Sequence, residues 1–149
     1  MDERTRGSRN RPRGDRGSTT LEAVIIMPTF MLFVALIIAA GRVQMARQSV
    51  DAAAVEAARA ASISRTAGEA QTRASASGNQ ALTNQGLRCA TTSVSIDTSG
   101  YSVPVGTPAS VSATIVCILD VSDVAIPGLP GSLNITRSAS SPLDTYRGR

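Results

Sequence analysis

The chain has 149 residues, 42% hydrophobic but only 3% aromatic, with 15 basic residues, 11 acidic residues, no His and no Trp. A chain this short, once any targeting segment is set aside, supports one small module with a modest core and not two domains. Every basic residue is Arg, and Arg4, Arg6, Arg9, Arg11, Arg13 and Arg16 fall in the first sixteen positions, so the net charge of +4 belongs largely to the N-terminus.

That basic arm has two readings, a nucleic-acid-binding tail or a cytoplasmic retention signal. Ala23 to Ala40 follows it, reading AVIIMPTFMLFVALIIAA without a charge, and this favours retention with no nucleic-acid partner. As a helix these residues span roughly 27 Å, enough to cross a bilayer. The alternative is a cleavable secretory signal, with Ala39-Ala40-Gly41 as a small-residue cut site, although the apolar core of such signals runs to about 7–15 residues. Pro28, inside the run, removes a helical hydrogen bond and displaces the carbonyl of Val24, so a kink is expected there. Glu22 stands at the mouth of the run. A lone carboxylate at the edge of hydrocarbon costs up to a few kcal/mol on insertion scales and calls for a partner or a function.

From Arg42 to about Ala76 the chain is Ala-rich and free of Pro. Val43, Ala46, Val50, Ala53, Ala54, Ala57 and Ala61 recur at spacings of three and four, which predicts a helix with a narrow apolar stripe. Arg47, Asp51, Glu56, Arg59 and Arg65 are assigned to the opposite face. So small a stripe lets helices approach closely, and it packs either on other helices or on the chain's own C-terminal sheet. The membrane helix and this segment are expected to form one continuous helix, fraying near Gly68 or ending at Ser77-Gly78-Asn79 or at Gly86.

After Gly86 the period changes to two. Ala109 to Val121 alternates Val111, Ala113, Ile115, Cys117, Leu119 and Val121 with polar positions, the pattern of a half-buried strand. Cys89 to Ile96 is a second strand, joined to it as a hairpin with a loose or strand-like connection at Tyr101 to Val105. Leu133 to Ala139 is a third strand, after the loop Ile126 to Gly131. The expected fold class is α+β, a long N-terminal helix packed on a small antiparallel sheet. The boundaries are 1–17 for a basic cytoplasmic leader, 18–41 for the transmembrane helix, 42–86 for the Ala-rich helix and 87–149 for an extracytoplasmic β module.

Cys89 and Cys117 are the two cysteines. Outside the cytoplasmic membrane such a pair forms a disulfide; the other readings are two buried free thiols or half a metal site, the latter without His or CxxC spacing to support it. Closing that loop stabilises the fold by roughly 3 kcal/mol in the chain-entropy account. Catalysis has little to draw on, since there is no His base, no Gly-x-Ser-x-Gly and no phosphate loop. Asp120 and Asp123 read as solvated charges near a strand end, and Asn134-Ile135-Thr136 as a chance match to a glycosylation sequon. Neither an enzymatic activity nor a cofactor is expected.

The stretch Arg16-Gly17-Ser18-Thr19-Thr20-Leu21-Glu22 ahead of an apolar run resembles the type IV prepilins, whose basic leader ends in glycine and whose mature chain has glutamate as its fifth residue. Counted from Ser18, Glu22 is the fifth. More narrowly, RGSTTLEAVIIMPTFMLFVALIIAAGRVQMARQSVDAAAVEAARAAS is similar to the N-terminal region of TadE-like proteins, pseudopilin or minor-pilin components of tight-adherence (Flp-type) pilus systems, and ITRSASSPLDTYRG is similar to the tails of actinobacterial members. The resemblance implies cleavage by a prepilin peptidase between Gly17 and Ser18 and retention of the helix in the cytoplasmic membrane, with the N-terminus inside and the C-terminal module outside. It implies as partners the peptidase, other pilin-like subunits, inner-membrane pilus assembly proteins and membrane lipid. Glu22 would register one subunit against the next. Ala23, where major pilins commonly have an aromatic, and the folded C-terminal module point to a minor component. A plain single-pass anchored protein, or a secreted extracytoplasmic binding protein, is the alternative.

Overall fold

The structure, a computed structural model, describes residues 16–120 and 131–146, with residues 16–22 described by their helical backbone. The basic leader up to Asp15 and the loop 121–130, with Val121, Asp123 and most of the expected Ile126–Gly131 turn, lie outside the described residues. The elements run α1 (Arg16–Ser62), α2 (Ala67–Asn84), β1 (Thr91–Asp97), a 3-10 turn (Ser99–Ser102), β2 (Ser110–Asp120) and β3 (Ser132–Pro142). This is the α+β class that the change of hydrophobic period predicts. The chain forms two compact units, one up to Ile38 and one from Ala39 onward.

The first unit is the apolar part of α1. Eleven large apolar side chains between Val24 and Ile38 are each at least 45% exposed, so the helix is apolar on every side and finds no cover within the chain. It is one helix long and apolar enough to cross a membrane. The helix continues through Pro28, and beside that residue the Thr29 hydroxyl donates to the carbonyl of Ile25 at 2.9 Å.

The second unit has its core between helices and sheet. Ala46, Val50, Ala53, Ala54, Ala57 and Ala61 of α1 are buried with Ala70, Ala74 and Leu82 of α2 and with Val111, Ala113, Ile115 and Cys117 of β2. The alanine stripe is therefore spent on the chain's own module. β2 is the central strand, antiparallel to both neighbours in the order β1-β2-β3. Val94 and Ile96 on β1 and Ile135 on β3 share its inner face, while Ser95, Thr114 and Ser138 form one rung of the outer face, with Thr114 and Ser138 hydroxyls 2.8 Å apart.

The expected single helix is in fact two. The last carbonyls of α1 are met locally: Arg59 by the Ile63 N–H at 3.4 Å, Ala61 by the Ser64 N–H and Ala60 by the Ser64 hydroxyl, both at 3.0 Å. The chain then restarts at a cap, where Thr66 Oγ1 accepts from the Glu69 N–H at 3.2 Å and Glu69 Oε2 accepts from the Arg65 N–H at 3.0 Å. Thr66-Ala67-Gly68-Glu69 is a capping-box sequence, so a helix begins where fraying was expected. Gly78 does not end α2. A Cβ there would lie 3.1 Å from Ile115 Cδ1 and 3.4 Å from the Ala57 Cβ, so the glycine is where α2 approaches α1 and β2 most closely. α2 ends at Asn84, and Gly86 takes the left-handed conformation (φ 68°) that lets the Leu87 N–H reach the carbonyl of Leu82 at 3.1 Å.

Candidate assembly site

Gly17, Ser18 and Glu22 all fall in the first two turns of α1. Ser18 and Glu22 are four residues apart, hence on one face and roughly 6 Å apart along the axis. The Gly17–Ser18 bond lies one residue inside the start of the helix, where fraying is least costly. No charged residue occurs from Ala23 to Gly41. Beyond Glu22, one turn from Ser18, the helix thus runs uncharged over residues 23–41, roughly 28 Å at 1.5 Å per residue.

At the other end of α1 the module is held by groups that sequence reasoning passed over. Tyr101, on the 3-10 turn between β1 and β2, donates its hydroxyl to the carbonyl of Ala61 and lies 3.2 Å from that of Ser64. Helix C-termini leave carbonyls without partners, so this tyrosine fastens the β1–β2 connection to the end of α1. The connection is a helical turn and not the loose or strand-like loop expected, because Gly100 packs on the backbone of β2. A Cβ at Gly100 would stand 2.1 Å from the Ser110 carbonyl oxygen. From β3, the Ser141 hydroxyl donates to that of Ser62 at 3.0 Å. The signal for Tyr101 was composition: one of two tyrosines in a chain with 3% aromatic residues invites a partner for its hydroxyl.

Cys89 and Cys117 are joined as a disulfide with a Cα–Cα distance of 5.4 Å. Cys89 lies two residues before β1 and not within it, a correction to the expected strand start. The Ala90 N–H still donates to the Ile118 carbonyl at 2.7 Å, so pairing with β2 is already established beside the cysteine. Cys117 is fully buried on β2. Asp120 is exposed at the end of β2, and Asn134 is exposed on β3. At the far end of β1 the Asp97 carboxylate accepts from the Ser99 N–H at 2.9 Å, and this bond, together with one from the Ser99 side chain, holds its pKa below the ordinary aspartate value.

Residues 17–59 match the family model of TadE-like protein. The matched stretch opens at Gly17, takes in Glu22 and the whole apolar run, and ends three residues before the end of α1. No curated protein and no solved structure matches the chain.

Proposed function

We propose that this chain is a pilin-like minor subunit, a pseudopilin of a tight-adherence, type IV-like pilus or secretion filament, cut after Gly17 by a prepilin peptidase. The observation that carries the reading is the TadE-like stretch 17–59, in which a carboxylate, Glu22, immediately precedes an apolar run left uncovered by its own chain. The match makes the chain pilus-associated and pilin-like.

The function is assembly. The arginines of the leader keep it in the cytoplasm, so the module beyond Gly41 lies outside. Cleavage leaves a new α-amino group on Ser18, about one helical turn from Glu22. In hydrocarbon an unpaired carboxylate is costly, whereas a carboxylate against an ammonium is electrostatically strong. A neighbouring subunit that brings its amine to Glu22 is thereby favoured over a slipped one, which is selection of register by penalising the alternatives. The partners are the peptidase, other pilin-like subunits, the membrane proteins that drive assembly, and lipid around the apolar run before extraction.

Glu22→Ala tests this. The variant inserts and is still cut after Gly17, because removing the charge makes the helix more apolar, while its incorporation into pili or co-purification with pilus components falls at least tenfold. Equal assembly of variant and parent contradicts registration by Glu22. Loss of cleavage moves the residue to peptidase recognition.

A further inference from the structure

β3 is an edge strand of 11 residues, paired with β2 on one side. The Leu143 N–H donates to the carbonyl of Ala109 at 2.9 Å, its opposite when the β2–β3 register is carried one pair further. Antiparallel hydrogen bonding alternates along a strand. Leu133, Ile135, Arg137, Ala139 and Ser141 therefore direct their N–H and C=O groups at β2, while Ser132, Asn134, Thr136, Ser138 and Ser140 turn theirs outward. Among the described residues no backbone group meets these outward groups. One side chain does. Arg137, the one charge on β3, donates from Nη1 to the outward carbonyl of Thr136 at 2.9 Å. Its side chain leaves from the core-facing side, on the rung of Ile115, and is partly buried. The guanidinium thus turns round the rim of the sheet to the open edge, with its stem along the apolar face.

We propose that the open edge of β3 takes up an extended, carboxylate-bearing strand of another protein, and that Arg137 selects this occupant. An unpaired edge is a template for strand addition, in which main-chain bonds give affinity and alternate side chains give specificity. The Thr136 carbonyl lies near the middle of the edge, so a strand that pairs along its length must displace the guanidinium. A strand with Asp or Glu opposite Arg137 offers the displaced guanidinium a charged acceptor in place of a neutral one, and the exchange is favourable. A strand with Lys or Arg there offers it nothing and adds repulsion.

The same residue turns away a second copy. Antiparallel pairing of two β3 edges has its greatest overlap when Thr136 opposes Ser138, Thr136 opposes Thr136 or Ser138 opposes Ser138. In the first alignment the two Arg137 stand directly opposite, and in the others they are one diagonal apart on the same face, within reach of long side chains. Like charges so placed oppose the pairing. The other edge of the sheet is a poorer host for an acidic strand, since β1 has 7 residues and its one charge is Asp97. This inference goes beyond the assembly reading and draws on neither the cut after Gly17 nor Glu22.

The test uses the purified full-length chain in detergent and a fluorescent peptide, Val-Thr-Val-Thr-Glu-Thr-Val-Thr-Val, whose glutamate falls opposite Arg137 in an antiparallel pairing. It should bind at least about threefold more tightly than its counterpart with lysine at the centre, the scale of an attractive against a repulsive cross-strand pair. Arg137→Glu should reverse that order, and Arg137→Gln, which keeps a donor but no charge, should bind the two peptides equally. Ser138→Pro removes an outward N–H and no bond to β2, so it should weaken both peptides while the module unfolds at the parent's temperature. On binding, amide exchange should slow at Asn134, Thr136, Ser138 and Ser140 and not along β1. Equal binding of the two peptides by the parent overturns Arg137 as the selecting residue. Absence of binding, or slowed exchange along β1 instead, overturns β3 as the site. A dimer of the parent that Ser138→Pro dissociates assigns the edge to a second copy and overturns the acidic strand as occupant.

Discussion

One helix, α1, treats apolar residues in two ways along its length. Between Val24 and Ile38 it carries large side chains on every side, eleven of them at least 45% exposed. From Val43 to Ala61 its apolar residues are mostly alanines, and one stripe of them is buried to 5% exposure or less at Ala46, Val50, Ala53, Ala54, Ala57 and Ala61, with Met45, Ala52 and Val55 exposed. The difference separates two roles for hydrophobicity. In the first region apolar surface is what the helix offers to its surroundings, lipid or neighbouring helices. In the second it is consumed internally, and small side chains are favoured because α2 and the sheet must approach closely.

Truncations on either side of that divide should therefore behave unlike one another. Ile115 is fully buried where α1, α2 and the sheet meet, and Ile115→Ala should destabilise the module by about 2–5 kcal/mol. Separating the disulfide with Cys89→Ser and Cys117→Ser should cost about 3 kcal/mol. Ile37→Ala, in the exposed run, should leave module stability within about 0.5 kcal/mol of the parent. Thermal unfolding of the purified full-length proteins in detergent compares all three, and a large loss from Ile37→Ala would erase the distinction.

The junction where α1 stops gives a smaller effect. Tyr101→Phe removes the hydroxyl that meets the Ala61 carbonyl, for about 1 kcal/mol. Thr66→Ala removes the cap that starts α2, also for about 1 kcal/mol. Amide hydrogen exchange should show the loss concentrated at 61–70, and uniform loss across the module would place these residues in the general core instead.

Smallest is the contribution of Asp97. Its pKa is lowered in the folded chain by the Ser99 N–H and then by the Ser99 side chain, so its stabilisation is present above the unfolded aspartate value, about 3.9, and is lost as pH falls through the folded value. Asp97→Asn should thus lie slightly below the parent at neutral pH and converge with it in acid. A difference that grows on acidification would reverse the sign of this account.

Strand β2 was legible because alternation is a local signal: Val111, Ala113, Ile115 and Cys117 are buried as read, while Cys89, read as the start of the neighbouring strand, lies two residues before β1. The break after Ser62 was not, since Ser62-Ile63-Ser64-Arg65 has no Gly or Pro and only the Thr66–Glu69 cap announces the new helix. Glycine misled in one place and informed in another. Gly78 reads as a stop but serves as a point of close packing, a tertiary fact with no local signature, whereas Gly86 reads as a stop and is one. The positions proposed for processing and registration, Gly17, Ser18 and Glu22, were legible only through their spacing from one another and from the apolar run. Their proposed roles involve other molecules, so packing within the chain adds little to them.

The most direct test of the pilin-like reading is the intact mass of the chain recovered from membranes of cells that express its own assembly machinery. A mature chain beginning at Ser18 is the predicted result, with Gly17 changed to a bulky residue giving an inserted but uncut precursor. A chain that begins at Met1 or Asp2 in the presence of an active prepilin peptidase, or at Arg42 after loss of the apolar run, would contradict it.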